Sequence, residues 1–181
     1  MPELERLAPL HAPALLRFER VNRAYFARFV PDRGDDYFDE FADRLADLLK
    51  EQDAGACHFH VLVDEDGTVL GRFNLVDVAD GSAELGYRVA ERATGRGLAR
   101  EGVRRVCALA RDEYGLRRLV ASAALANPAS LAVLRRTGFV PVEEVLISGQ
   151  PCLRHVLDLT PEVTDENRPP GRSIRVTDPD A

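Results

Sequence analysis

The stretch ACHFHVLVDEDGTVLGRFNLVDVADGSAELGYRV, residues 56–89, constrains the fold more than any other part of the chain. It holds three β-rich runs, 56–64, 68–78 and 82–89, separated by EDG and ADG. Connections that short leave no room for a crossover, which takes a dozen residues or more, so successive strands must fold back on one another. The stretch therefore predicts a three-stranded antiparallel meander.

On either side the period changes. LERLAPL reads as a short first strand, and HAPALLRFERVNRAYFARFV (11–30) follows with Leu15, Phe18, Val21, Phe26 and Phe29 near helical spacing. PDRGDD breaks that run, and residues 36–52 resume it through Phe38, Phe41, Leu45 and Leu48. After the meander, residues 95–115 form the strongest helical pattern, with Ala99, Val103, Val106, Ala110 and Tyr114 on one stripe and Gly115 closing it. LRRLVASAAL (116–125) reads as a strand. NPASLAVLRRTG (127–138) reads as a helix with Asn127 at the N-cap, Pro128 at its first position and Gly138 at its end. FVPVEEVLI and CLRHVLDL close the order as two strands. The expectation is an α/β fold with helices on both faces of a central, mostly antiparallel sheet. Its strand–helix–strand portion supplies parallel pairing through a right-handed crossover. Residues 1–159 are expected to make one domain and residues 160–181, rich in proline and poor in large apolar side chains, a flexible tail.

The glycine turn between strand and strong helix, ATGRGLAREG (93–102), points to an anion. The first N–H groups of a helix have no intrahelical acceptor, and the helix dipole places roughly half a positive charge there. Gly95 and Gly97 allow the backbone to curl with no Cβ in the way. A Walker loop needs G-x-x-x-x-G-K-[ST], which is absent from the sequence. A Rossmann fingerprint would need a glycine at Arg100 and would open its domain, whereas a meander precedes this turn. A plain turn would use the same glycines. Net charge of −6 and a pI near 5.3 argue against a nucleic-acid binder. Cys57, Cys107 and Cys152 are scattered through apolar runs with no C-x-x-C pair, as expected of buried thiols in a reducing compartment. MPELERLAPLHAP has no apolar core of signal-peptide type, and no run approaches the ~18–20 apolar residues of a membrane span, so the expected location is cytoplasmic, with no membrane partner.

Taken with their surroundings, these segments resemble the GCN5-related N-acetyltransferases (GNAT). Thr94-Gly95-Arg96-Gly97-Leu98-Ala99 resembles the Q/R-x-x-G-x-G/A acyl-CoA loop of that superfamily, with Thr94 in place of the usual first residue. The order of meander, loop, amphipathic helix, strand, NPAS and a helix ending in TGF matches as well. ELGYRV and the N-x-x-S ahead of RRTGF look closest to the branch of ribosomal-protein N-terminal acetyltransferases (RimJ/RimL-like), and the resemblance spans about residues 5–158. It implies a GNAT-like fold, acetyl-CoA as cosubstrate, and transfer of the acetyl group to a primary amine. The loop residues Gly95, Arg96, Gly97, Leu98, Ala99 and Arg100 would then hold the pyrophosphate of coenzyme A. The strand end at Arg88, Val89 and Ala90 would splay from its neighbour and offer backbone groups to pantetheine and the acetyl carbonyl, with Val89 the foremost of the three. Asn127, besides capping its helix, would touch pantetheine.

The resemblance also implies candidates for proton transfer. Ser130 stands where the N-x-x-S branch would protonate the departing thiolate, and Leu134 occupies the place where many relatives carry a tyrosine for that task. Glu84, five residues before Val89, is the candidate base, with Glu143, Glu144 and solvent as alternatives. His58 and His60 share one face of a strand, but no third ligand has suitable spacing, and no metal is expected. Asp32, Asp35, Asp36, Asp39, Glu40 and Asp43 lie on the helices that wall the acceptor site in the resembled fold. They are either a solvated helix face or an acidic wall that attracts a cationic amine. The acceptors in view are a protein N-terminal amine and, alternatively, a polyamine or aminoglycoside-like small amine; a homodimer is compatible with either. A non-catalytic acyl-CoA-binding module is the remaining alternative, suggested by Thr94 and Leu134.

Overall fold

The computed structural model describes residues 1–159, so the expected tail at 160–181 lies outside the described residues. Seven strands form one sheet in the order β1-β2-β3-β4-β5-β7-β6. They are β1 (Glu3–Arg6), β2 (His58–Val63), β3 (Val69–Ala79), β4 (Ser82–Val89), β5 (Arg118–Ala124), β6 (Val140–Ile147) and β7 (Gln150–Asp158). β2, β3 and β4 are the predicted meander, each antiparallel to the next. β4 and β5 form the one parallel pair, and the final strand β7 inserts between β5 and β6. No helix among the described residues is long and apolar enough to cross a membrane.

The two N-terminal helices expected from periodicity are each split. The first becomes α1 (Ala12–Val21) and α2 (Arg23–Phe26), the second α3 (Asp35–Asp39) and α4 (Phe41–Asp53). Asn22 makes the first break. Its side-chain Nδ2 donates to the Phe18 carbonyl at 2.8 Å, while its Oδ1 accepts from the Glu91 N–H at 2.9 Å. Apolar spacing does not register such a side-chain bond to a backbone 69 residues away. The buried Asn22 thus ties the N-terminal helices to the segment that follows β4.

Alternation along the strands assigns the two layers. Phe73 on β3 and Tyr87 on β4 are register partners, and a Cβ at Gly102 of α5 (Leu98–Asp112) would run into the Phe73 ring. That face therefore carries α5, and α6 (Pro128–Arg136) joins it through Ser130, which hydrogen-bonds Tyr87. Arg72 and Arg88, also register partners, point to the other face and meet Glu19 of α1. Val103, Val106 and Ala110 of α5 have no exposed surface, as their shared stripe predicts. Gly102 costs about 1 kcal/mol in a helix interior, and here it permits α5 to lie directly on Phe73.

His58 and His60 share a face, as expected, and Tyr114 occupies it with them. The His58 ring stacks on Tyr114 at 3.6 Å, and His60 Nε2 lies 2.7 Å from the Tyr114 hydroxyl. Among the described residues no group of three His, Cys, Asp or Glu side chains is placed to hold a metal. Burial pulls the His60 imidazole from 6.5 down to about 4. The unfolded chain therefore binds this proton before the folded one does. Stability contributed by neutral His60 is complete above about pH 6.5 and falls away as the pH drops toward 4, by up to ~3 kcal/mol. Urea unfolding across that range is expected to show the loss, and His60→Gln should flatten the profile; an equally steep profile in the variant would assign the loss to other groups.

Candidate active site

The parallel ladder between β4 and β5 has only three register pairs, from Ser82↔Arg118 to Glu84↔Val120. β4 then continues to Val89 alongside β3, while β5 continues to Ala124 alongside β7. The sheet forks there. The Ala90 N–H donates to the Leu70 carbonyl at 2.8 Å, and the Ala90 carbonyl accepts from Ala93 at 2.9 Å. Backbone groups alternate sides along a strand, so those of Arg88 face β3 and those of Tyr87 and Val89 face the fork. Of the three residues expected to offer backbone groups there, the geometry leaves Val89 and withdraws Arg88 and Ala90.

Past β4 a single 3-10 turn (Glu91–Ala93) leads into the glycine turn. Thr94 does not reach forward to the glycines; its hydroxyl donates back to the Glu91 carbonyl at 2.7 Å. Gly95 and Gly97 both have left-handed backbones, with φ of 74° and 76°, and a Cβ at either would meet nothing within 4 Å. Gly97 is the N-cap of α5, no side chain caps it, and the Glu101 N–H to Gly97 carbonyl bond, 3.0 Å, closes the first turn. The N–H groups of Leu98, Ala99 and Arg100 precede that bond and have no acceptor within the helix. Arg96 and Arg100 are exposed and form no ion pair among the described residues. Free N–H donors, a helix dipole, open space over two glycines and flanking guanidiniums together suit a diphosphate.

Across the fork stands the N-terminus of α6. Asn127 Oδ1 accepts from the Ser130 N–H at 3.1 Å, the predicted N-cap. The Ser130 hydroxyl lies 2.9 Å from the Tyr87 hydroxyl, which also reaches the Ser130 carbonyl at 3.2 Å. Burial pushes the Tyr87 phenol up to about 12. Sequence reasoning missed Tyr87. Strand alternation places it two residues from Val89 on the same face, but its partner lies 43 residues away. Leu134 is fully buried, so a tyrosine there would overpack the core instead of opening into the fork.

The opposite face carries Glu84 and the acidic segment. Glu84, at the last pair of the parallel ladder, is exposed and free of hydrogen bonds and ion pairs among the described residues. Glu143 and Glu144 sit on the edge strand β6, three strand spacings or ~14 Å from β4, and Glu143 is engaged by Arg154 at 2.6 Å. The fork does not bring those two together with Val89. Of the acidic segment, Asp32 and Asp35 both grip Arg23 at 2.7 Å, which holds the Asp32 carboxyl down to about 2, and Glu40 pairs with Arg44 at 2.8 Å. The segment is not a uniformly acidic wall. Beneath it, Glu19 lies between Arg72 at 3.2 Å and Arg88 at 3.1 Å, and the Arg88 guanidinium packs over the Phe26 ring at 4.7 Å. A hollow of about 460 Å³ opens over this face, lined by Arg20, Arg23, Asp35, Phe38 and Asp39.

Comparison with known proteins agrees with this arrangement. Residues 3–140 match the family described as "Acetyltransferase (GNAT) domain". A probable N-acetyltransferase, YjcK of Bacillus subtilis (strain 168), is 28% identical over 136 residues, covering 68% of this chain and 72% of that protein. Among solved structures, ribosomal-protein-S5-alanine acetyltransferase from Vibrio fischeri superposes with a TM-score of 0.83 at 18% identity, over 93% of this chain and 96% of that one. Spermidine N-acetyltransferase from Vibrio cholerae, in complex with CoA and spermine, gives 0.74 at 19% identity, over 87% and 95%. With the sheet forked ahead of a glycine turn that opens a helix, and with three quarters of its length matched, the chain belongs to the GNAT acetyltransferase family, whose enzymes use acetyl-CoA.

Proposed function

We propose that this protein acetylates a protein N-terminal amine. The observation that carries the reading is the early end of the β4–β5 ladder, which leaves the Val89 backbone facing a slot between the glycine turn and α6. The 0.83 superposition on a ribosomal-protein alanine acetyltransferase supports this acceptor, and the ion pairs of Asp32, Asp35 and Glu40 weaken the argument for a polyamine.

Acetyl-CoA supplies the activated acyl group. Gly95, Gly97 and the N–H groups of Leu98, Ala99 and Arg100 hold its diphosphate, with Arg96 and Arg100 at the rim. Val89 donates its N–H to the acetyl oxygen as negative charge develops there, and Asn127 borders the pantetheine arm. Glu84, on the face away from α5 and α6, takes the proton of the attacking amine through water. Ser130, on the α6 side, returns one to the departing sulfur. The cap bond of α6 uses the Ser130 backbone N–H, and the hydroxyl is engaged among the described residues by Tyr87, at 2.9 Å.

Acetyl-CoA is expected to raise the melting temperature, because it binds the folded state. Gly97→Val should abolish that rise: its Cβ would stand where a phosphate oxygen belongs, and the left-handed φ adds roughly 1–3 kcal/mol of strain. Melting of the unliganded variant separates the two effects, and normal acetyl-CoA binding by it would overturn the loop assignment.

Glu84→Gln should lower turnover ~10²-fold or more at neutral pH, within the ~10²–10⁴-fold that base catalysis supplies. The deficit should shrink at high pH, where the amine loses its proton unaided. A thiol-release assay across pH reads this directly, and an unchanged profile would give the role to solvent.

Ser130→Ala should cost kcat ~10-fold with KM for acetyl-CoA unaltered, since thiolate is already a fair leaving group. The α6 cap bond survives the substitution, so melting should move little. Full activity would remove this hydroxyl from the mechanism.

A further inference from the structure

Beneath the acidic segment, one crevice has a surplus of positive charge in its lining. Glu19 is 2% exposed and is shared by two guanidiniums, Arg72 at 4% and Arg88 at 22%. One buried carboxylate between a buried and a half-buried cation leaves one positive charge uncompensated, a costly arrangement without a further anion. The exposed fraction of Arg88 opens into a narrow crevice, about 10 Å³ in volume, whose charged lining is Glu19, Arg23, Asp32, Arg33 and Arg88. Arg23 is spoken for by Asp32 and Asp35. Arg33 has no carboxylate partner among the described residues and lies over the Tyr37 ring at 4.5 Å. Arg23, Arg33, Arg72 and Arg88 against Glu19, Asp32 and Asp35 thus leave a net positive pocket floor, while Arg20 and Asp39 offset each other in the wider hollow outside.

Position relates this floor to the chemistry. The face of β4 opposite α5 reads Glu84, Gly86, Arg88 at successive alternate residues, with no register irregularity between them. A Cβ at Gly86 would meet nothing within 4 Å, so the strand is bare between carboxylate and guanidinium. Val89, whose backbone faces the fork, is the next residue after Arg88. We infer that the acceptor carries a carboxylate close to its reacting amine, and that Arg88 and Arg33 hold this carboxylate. The inference rests on the acetyltransferase reading above and selects among its acceptors. An extended chain advances ~3.3–3.6 Å per residue, so an acidic side chain within the first three residues of a peptide is in reach. A free acidic amino acid presents the same chemistry.

The test measures kcat/KM by thiol release for N-terminally free peptides that differ only in carrying Glu, Gln or Lys at the second and third positions, alongside free glutamate and spermidine. The Glu peptide is expected to exceed its Gln counterpart at least ~10-fold, with the ratio shrinking as salt is raised. Arg33→Ala and Arg88→Gln should each collapse the Glu-to-Gln ratio toward one. Arg88→Gln leaves Glu19 paired with Arg72, and Arg33 is exposed, so the Arg33 variant carries the test even if the other proves unstable. Glutamate matching the Glu peptide would identify a free amino acid as the source of the carboxylate, and a weaker glutamate a peptide. Preference for Lys peptides or spermidine, or a ratio indifferent to both substitutions, overturns the inference while leaving the acetyltransferase standing. No turnover with any amine overturns both.

Discussion

Everything at the candidate site depends on where β4 and β5 stop pairing. Each of these strands has a stronger commitment on its other side, β4 to β3 through Val89 and β5 to β7 through Ala124. Because the antiparallel ladders persist while the parallel one ends at Glu84 and Val120, the sheet opens between two rigid edges. Strand backbone left unpaired is normally a liability. Here it lies between two helix N-termini, and what fills it must bring its own polar groups. The position of α5 is equally constrained: Gly102 lets the helix rest on Phe73, which fixes how far its free N–H groups stand from the fork.

The layer of α1 to α4 is anchored by polar contacts. Asn22 reaches from the α1–α2 break to the Glu91 backbone, and Glu19 reaches from α1 to Arg72 and Arg88 on adjacent strands. Removing either arginine leaves Glu19 one partner, whereas removing Glu19 would deprive both guanidiniums, one of them buried, of their shared carboxylate. The triad therefore orients α1 over β4 and leaves a residual positive charge in the crevice at Arg88.

Much of this was legible in the sequence. The spacing of the meander, the stripe of α5 and the punctuation of α6 at Asn127, Pro128 and Gly138 are local signals, and the structure reproduces them. The breaks at Asn22 and Glu40 were not legible, because apolar periodicity runs through both and the first depends on a distant backbone group. The sequence motif points to the Arg88 backbone, whereas its side chain meets Glu19 across the sheet face only in the folded chain. The acidic run leaves a solvated face and an acidic wall both open in the sequence, because its counter-ions Arg23 and Arg44 are separated from it in the chain or interleaved with it. Tyr87 and Ser130 meet only once β4 and α6 are packed.

The fork also has two mouths. Ser130 and the glycine turn border it from the layer of α5 and α6, while Glu84 and the wide hollow lie on the layer of α1 to α4. Two reactants can enter such an opening from opposite sides and be present together, neither blocking the other's path. That geometry favours direct passage of the acyl group within a ternary complex and makes no demand on the chain for a nucleophile to carry it. It accords with the chemistry of Cys57 and Cys107, whose thiols burial pushes up to about 11 and 12, where they are poor attackers at neutral pH. The proposed proton donor Ser130 and the proposed base Glu84 likewise stand on opposite faces of the sheet.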